Sequence, residues 1–260
     1  MGQHFLADER ALERIVDTLD PTKNDTVLEI GPGRGALTDI LAPRAGRVVA
    51  VELDRALASL LRERFATTPT VQIVEADILK TDPGELGGPG YLLVGNVPYY
   101  ITTPILFHAL ACSLPRRAVF LVQREVAARA MAVPGTKSYG ALSVNLQVLA
   151  NVERVFDIPP GAFRPPPKVD SSVIRITPVA APLLRDGEQP RFRSFVQSLF
   201  SQRRKQIGTI LRSLPPSASG VPAVTLDALA ALSIPPAERP ERLTPEQFVL
   251  LFREVRQGER

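Results

Sequence analysis

Between residues 26 and 123, short β-rich runs alternate with helical patterns, and this alternation narrows the folds open to the chain more than any other feature. The strand runs are Thr26–Ile30, Arg47–Leu53, Val71–Ala76, 91–95 and Ala118–Val122, and helical periodicity occupies Ala36–Leu41, Arg55–Phe65 and Pro104–Ala111. A strand that returns parallel to its predecessor needs a crossover, which a helix supplies. The pattern therefore predicts an α/β fold, a parallel sheet with helices on both faces. Ahead of it, Asp8–Asp20 carries apolar residues at 11, 12, 15, 16 and 19, an amphipathic helix with an Asp cap that closes before Pro21. Helical stretches near 124–132 and 140–149 precede two late runs, Val152–Ile158 and Ser172–Thr177. Their Pro-rich connection suits an antiparallel ribbon at the sheet edge.

The character changes after Pro178. Residues 180–187 read as a linker, followed by a helix over Phe192–Leu211, a loop over Pro215–Pro222 and helices at Leu226–Leu232 and Pro245–Arg256. The last has Thr244 as cap, Pro245 at the first helical position and Gln247 placed for a capping box. Two domains are expected, 1–180 and a small helical one at 181–260. Charge divides along the same line. Residues 1–180 hold 19 Lys/Arg against 19 Asp/Glu, whereas 181–260 hold 12 against 8, so the whole excess of +4 is C-terminal. Seven basic and two acidic residues lie between Arg185 and Arg212, a segment suited to a polyanion or simply to a solvated helix face.

Composition excludes several classes. No apolar run approaches the roughly 18 to 20 residues of a membrane span, and the N-terminus lacks a signal-peptide layout, so a cytoplasmic protein with no membrane association is expected. The lone Cys112 excludes an internal disulfide. With only His4 and His108 besides, far apart in the chain, no metal is expected.

The first strand runs into Glu29-Ile-Gly31-Pro-Gly33-Arg-Gly35-Ala36 and then a helix. Glycines let the backbone turn sharply and approach a ligand at a helix N-terminus. Gly31, Gly33 and Ala36 also satisfy G-x-G-x-x-A, and Glu52 follows about 20 residues on, where a carboxylate binds ribose hydroxyls. A dinucleotide-binding dehydrogenase is a competitor on these residues alone, though no hydride-transfer residues support it. Asp77 ending the third strand and Asn96 ending the fourth shift the balance: acidic or amide residues at four successive strand ends, Glu29, Glu52, Asp77 and Asn96, match a pocket for S-adenosylmethionine. Beyond Asn96 lies Val97-Pro98-Tyr99. Pro98 sets the direction of the turn, the Asn96 side-chain oxygen accepts hydrogens from an exocyclic amine, and Tyr99 offers a stacking face. That outlines a base-methylation site, though a strand ending in a Pro turn with a buried Tyr has the same sequence.

The chain resembles the ribosomal RNA adenine N6-dimethyltransferase family, and most its bacterial small-subunit branch. The resemblance rests on Gly2-Gln-His-Phe-Leu6, Glu29–Gly35, Val51-Glu-Leu-Asp54, Glu75-Ala-Asp77, Asn96-Val-Pro-Tyr-Tyr100, Gln123-Arg-Glu-Val126, Gly135–Val144 and Phe163–Ser171, with a weaker echo in Phe200–Lys205. It implies a Rossmann-like class I methyltransferase sheet and S-adenosylmethionine as cofactor. By the same resemblance His4 and Leu6 form a cofactor lid, Gly31 and Gly33 the loop under the methionine part, Glu52 the ribose contact, Asp77 the adenine contact and Asn96 the methyl-transfer end. Phe163 is expected to stack on the target adenine opposite Tyr99, and Arg203, Arg204 and Lys205 to bind RNA phosphates. The implied substrate is small-subunit rRNA within an assembling 30S-type particle, at two adjacent adenosines near its 3′ end, with the enzyme a monomer. Val97 replaces the usual Leu, and the sequence begins almost at the motif without the basic N-terminal tail common in relatives, which implies either a lower RNA affinity or a shortened sequence. The competing readings are the sister branch that methylates large-subunit RNA, which Gln123–Val126, Gly135–Val144 and Pro165–Asp170 disfavour, and a non-catalytic assembly factor.

Overall fold

The computed structural model describes residues 4–111, 113–185, 187–213 and 226–257. Cys112, the first two residues of the Gly2–Leu6 motif and the expected loop at 215–222 lie outside the described residues. In chain order the elements are β1 (Phe5–Leu6), α1 (Glu9–Leu19), β2 (Thr26–Ile30), α2 (Ala36–Leu41), β3 (Arg47–Glu52), α3 (Arg55–Arg64), β4 (Val71–Glu75), α4 (Pro83–Gly87), β5 (Leu92–Asn96), α5 (Thr102–Ala109), β6 (Arg117–Gln123), α6 (Arg124–Ala130), α7 (Ala141–Gln147), β7 (Ala150–Ile158), β8 (Phe163–Arg164), β9 (Ser171–Pro178), α8 (Gln189–Ser201), α9 (Ile207–Ser213), α10 (Leu226–Ala231) and α11 (Pro245–Gln257).

One compact unit comprises the chain up to Ala127 together with Asn151–Pro178. It holds a seven-stranded sheet in the order β4-β3-β2-β5-β6-β9-β7. The five strands from β4 to β6 run parallel and β9 is antiparallel to β6. The inner strands are near-continuous apolar runs, as burial of both sheet faces requires, and Val27, Leu28, Val48, Val49, Leu92, Leu93, Val94, Val119 and Phe120 are inaccessible. Helix α1 buries Leu12, Ile15, Val16 and Leu19 and is capped by Asp8, whose Oδ1 accepts from the Ala11 amide at 3.0 Å. From β2 the chain builds outward through β3 to β4, then crosses back to place β5 on the other side of β2. At that reversal two neighbouring strand ends diverge and leave a crevice. The late strands β7 and β9 are neighbours at the sheet edge, as the Pro-rich connection suggests.

The second unit comprises Ala128–Ala150 and Val179–Arg260. Here the structure departs from the expected division at residue 180. The segment 128–150 groups with the C-terminal helices because its apolar positions pack there: Tyr139, Leu142, Val144 and Leu146 are buried, and the Tyr139 hydroxyl donates to the Leu243 carbonyl at 2.9 Å. Around them Phe192, Phe195, Phe200, Phe248 and Phe252 form an aromatic core with ring separations of 5.5–6.2 Å. The single helix expected over 192–211 is two, α8 and α9. The chain leaves the helix at Gln202, whose carbonyl accepts from the Lys205 amide at 2.8 Å, and Gly208 packs so closely on Pro236 that a Cβ would stand 2.9 Å away.

At the start of α11 the Thr244 amide donates to Gln247 Oε1 at 2.9 Å and the Gln247 amide to Thr244 Oγ1 at 3.3 Å, the reciprocal capping box. Thr244→Ala removes one of these acceptors. We expect a loss of about 1 kcal/mol of stability by urea denaturation, largely restored by Thr244→Ser.

Candidate functional site

Leaving β2, the chain turns at once into α2 through three glycines at positive φ: Gly31 at +67°, Gly33 at +59° and Gly35 at +84°. A Cβ on Gly33 would stand 2.9 Å from the Phe5 ring, so a side chain there would push Phe5 off the loop. The Gly31 amide donates to the Val51 carbonyl at 2.9 Å, which ties the loop to β3. Glu52, the last residue of β3, is buried, with Oε2 accepting from the Gly33 amide at 3.1 Å and Oε1 from the Asp54 amide at 3.0 Å. Each of those oxygens keeps a further lone pair. Asp77, beyond β4, accepts from the Leu79 amide at 3.1 Å. Asn96 ends β5.

These residues line one cavity of about 740 Å³ at the carboxyl ends of the strands, a volume within the range of small-molecule sites. His4, Leu6, Gly31, Gly33, Glu52, Asp77, Asn96 and Tyr99 all border it. So do Leu53 and Ile78, which sequence reading passed over. Leu53 is 65% exposed, an apolar surface inside a ligand-sized cavity; its signal was an apolar residue directly after the strand-end carboxylate.

Asn96 leads into a β-turn closed by the Ile101 amide, which donates to the Pro98 carbonyl at 3.1 Å, with Thr102 Oγ1 on the same carbonyl at 3.3 Å. Tyr99 and Tyr100 are its central residues. The Tyr99 hydroxyl is 2.5 Å from Ser171 Oγ, and burial raises its pKa against the opposing effect of that bond. His4 faces the Tyr99 ring at 6.0 Å between centroids and 29° between planes, and its Nδ1 is 2.8 Å from the Pro165 carbonyl oxygen. Antiparallel pairing of Phe5 with Arg164 and Leu6 with Phe163 holds the N-terminal segment beside the cavity.

One expectation is corrected. Phe163 does not border the cavity: it is 1% exposed and belongs to the core with Leu12, Ile158 and Val173, while Arg164 and Pro165 are the members of its loop that reach the site. An all-hydrocarbon ring paired next to Leu6 turns inward because nothing offsets leaving it wet. Arg203, with its side chain 39% exposed, is partly engaged inside the protein. Its Nε binds Glu241 Oε2 at 2.7 Å and its guanidinium donates to the Lys137 carbonyl at 2.6 Å, both within the second unit, whereas Arg204 and Lys205 are exposed.

Glu29 is buried at the root of the glycine loop and accepts from Thr38 Oγ1 at 2.6 Å. Burial, reinforced by the charges of Asp39 and Glu52 and opposed by the Thr38 bond, pushes its carboxyl up to about 7.

A glycine loop followed by carboxylates at successive strand ends of a doubly wound sheet defines a Rossmann-like methyltransferase domain that takes S-adenosylmethionine as cofactor. The family described as Ribosomal RNA adenine dimethylase matches residues 1–253. The chain is 44% identical over 256 residues to a protein named Ribosomal RNA small subunit methyltransferase A from Acidobacterium capsulatum, covering 97% of this chain and 89% of that one. It is 42% identical to the protein of the same name from Geobacter metallireducens, covering 97% and 93%. Among solved structures it is similar to a dimethyladenosine transferase from Plasmodium falciparum, with a TM-score of 0.83 and 26% identity over 98% of both chains. The 23S rRNA methyltransferase ErmE gives a TM-score of 0.69 and 32% identity over 97% of this chain and all of that one. The chain belongs to the ribosomal RNA adenine dimethylase family, and its activity is S-adenosylmethionine-dependent dimethylation of adenine in rRNA.

Because the folded pKa of Glu29 lies above its ordinary value, the proton stabilises the native state. The stabilising contribution of this one carboxyl is fully present below about pH 4.5, declines as pH rises from there to about 7, and is gone beyond. Glu29→Gln removes this dependence. Between pH 5 and pH 8 the variant should gain on the native protein by roughly 2–3 kcal/mol, at about 1.4 kcal/mol per pH unit, read from urea midpoints at both pH values.

Proposed function

We propose that this enzyme dimethylates N6 of two adjacent adenosines near the 3′ end of small-subunit rRNA, in the cytoplasm, as a monomer acting on an assembling 30S-type particle. The observation that carries the chemistry is the junction of Asn96 and the closed Pro98–Ile101 turn with the cavity whose far side holds Glu52 and Asp77. The small-subunit preference is supported by the names of the curated relatives at 40–44% identity, against 32% for the large-subunit enzyme ErmE.

The chemistry of the lining fits S-adenosylmethionine. Glu52 has lone pairs left for ribose hydroxyls, Asp77 can accept an adenine amine, Leu53 and Ile78 give apolar faces for its ring, and Gly31 and Gly33 permit close backbone approach. When bound, the cofactor supplies an electrophilic sulfonium methyl. The adenine N6 lone pair is delocalised into the ring, and we assign Asn96 Oδ1 to accept one N6 hydrogen and favour a pyramidal nitrogen. The Pro98 carbonyl already accepts from Ile101 and Thr102, so we assign the second hydrogen to the carbonyl of Val97. Tyr99, its hydroxyl bonded to Ser171, offers the ring on which the unstacked base rests. In this reading the rate gain comes from orientation and fixed dipoles, with no general base required. Arg204 and Lys205 take the phosphate-binding role, and Arg203 braces the turn that presents them.

Labelled S-adenosylmethionine incubated separately with unmodified small subunits, large-subunit RNA and bare small-subunit RNA should mark two neighbouring adenosines in the small subunits. Label confined to large-subunit RNA would assign the chain to the other branch. Asn96→Ala is expected to lower kcat at least 100-fold, about 2.7 kcal/mol, while cofactor affinity stays within threefold. Retained kcat refutes the assignment of Asn96. The double change Arg204→Ala with Lys205→Ala should weaken subunit binding and flatten its log–log salt dependence by roughly 1–2. An unchanged slope excludes phosphate contacts by those two residues.

A further inference from the structure

Tyr100 is the most exposed large hydrophobic side chain among the described residues, at 80%, yet it borders the methyl-transfer cavity. Its neighbour Tyr99 is held in place, with its hydroxyl at 2.5 Å from Ser171 Oγ and one side of its ring toward His4. Tyr100 has no ring contact or hydrogen bond to its side chain among the described residues. Both rings project from the two central positions of one turn, which the Ile101 amide and the Thr102 hydroxyl clamp onto the Pro98 carbonyl. The turn therefore fixes the spacing of the two backbone positions from which the rings project. A base leaving its stack to enter the cavity deprives the next base of a stacking partner. An aromatic face just outside the cavity replaces that partner without regard to base identity, since every base has a π-face.

We propose that Tyr100 is a positioning residue that stacks on the nucleobase adjacent to the target adenosine. This rests on the proposed substrate of two adjacent adenosines: while one occupies the cavity against Tyr99, the other lies on Tyr100. Tyr100 touches neither the transferred methyl nor N6. The stack is made equally before and during methyl transfer, so its loss raises KM for RNA and leaves kcat nearly unchanged.

The test compares wild type, Tyr100→Ala and Tyr100→Phe. Once the adenosine methylated by wild type has been mapped, 2-aminopurine is placed at its neighbour in a synthetic RNA spanning the site. Binding should quench its fluorescence with wild type and with Tyr100→Phe, and at least twofold less with Tyr100→Ala at saturating protein. On the natural substrate Tyr100→Ala should raise the RNA KM about tenfold, within the 1–3 kcal/mol range of a base–aromatic stack, with kcat and S-adenosylmethionine affinity within twofold and Tyr100→Phe restoring KM. Equal quenching by Tyr100→Ala and wild type overturns the proposal, as does a KM effect that Tyr100→Phe fails to rescue, which would point to the hydroxyl and a different partner. Mapping by wild type settles separately whether the methylated adenosines are two neighbours in small-subunit RNA. Failure of that reading leaves the fluorescence comparison at the mapped site to decide the role of Tyr100.

Discussion

The parallel pairing of Thr26–Ile30 with Arg47–Glu52 on one side and Leu92–Asn96 on the other is the constraint from which the site follows. Its register sets Ile30 opposite both Val51 and Gly95, so the glycine loop, Glu52 and Asn96 emerge together at one edge. Extending the sheet sets Glu52 beside Glu75, with Asp77 two residues beyond. A slip of one residue in any of these pairs would turn its strand's polar end into the opposite face.

Functional polarity has an energetic cost at this edge. Glu29 and Glu52 are carboxylates withdrawn from water at neighbouring strand ends, and the two are handled differently. Glu52 is held by two backbone amides, those of Gly33 and Asp54. Glu29 has one hydroxyl donor, and its proton is retained to higher pH. The turn after Asn96 shows the same economy in its carbonyls. Pro98 spends its oxygen on closing the turn, and the rigidity gained fixes where the adjoining amide and rings point.

The second unit shows how an interrupted segment becomes structural. Residues 128–150 carry Tyr139, whose ring enters an aromatic core and whose hydroxyl reaches Leu243. Lys137 in the same segment lends a backbone carbonyl to Arg203. One of three consecutive cations is thus consumed in fixing the loop that exposes the other two.

Local chemistry was legible in the chain itself. Strand β2, helix α2, the Asp8 cap, the Thr244 capping box and the strand-end residues Glu52, Asp77 and Asn96 follow from apolar periodicity, turn formers and motif spacing, because each depends on interactions within a few residues. What depended on distant partners was decided only by the tertiary structure. Periodicity alone could not reveal that α8 and α9 are separate, since the break is held by Gln202, Pro236 and Glu238 rather than by a Gly or Pro between them. An aromatic ring in a Pro-rich loop reads the same whether it faces a ligand or the core, and pairing with Leu6 sent Phe163 inward. The reverse holds for Tyr100, whose exposure at the cavity rim has no signature in its neighbours. The sequence by itself determined which residues end the strands; the fold decided which side chains were left facing the space between them, because burial is settled by what packs from elsewhere in the chain.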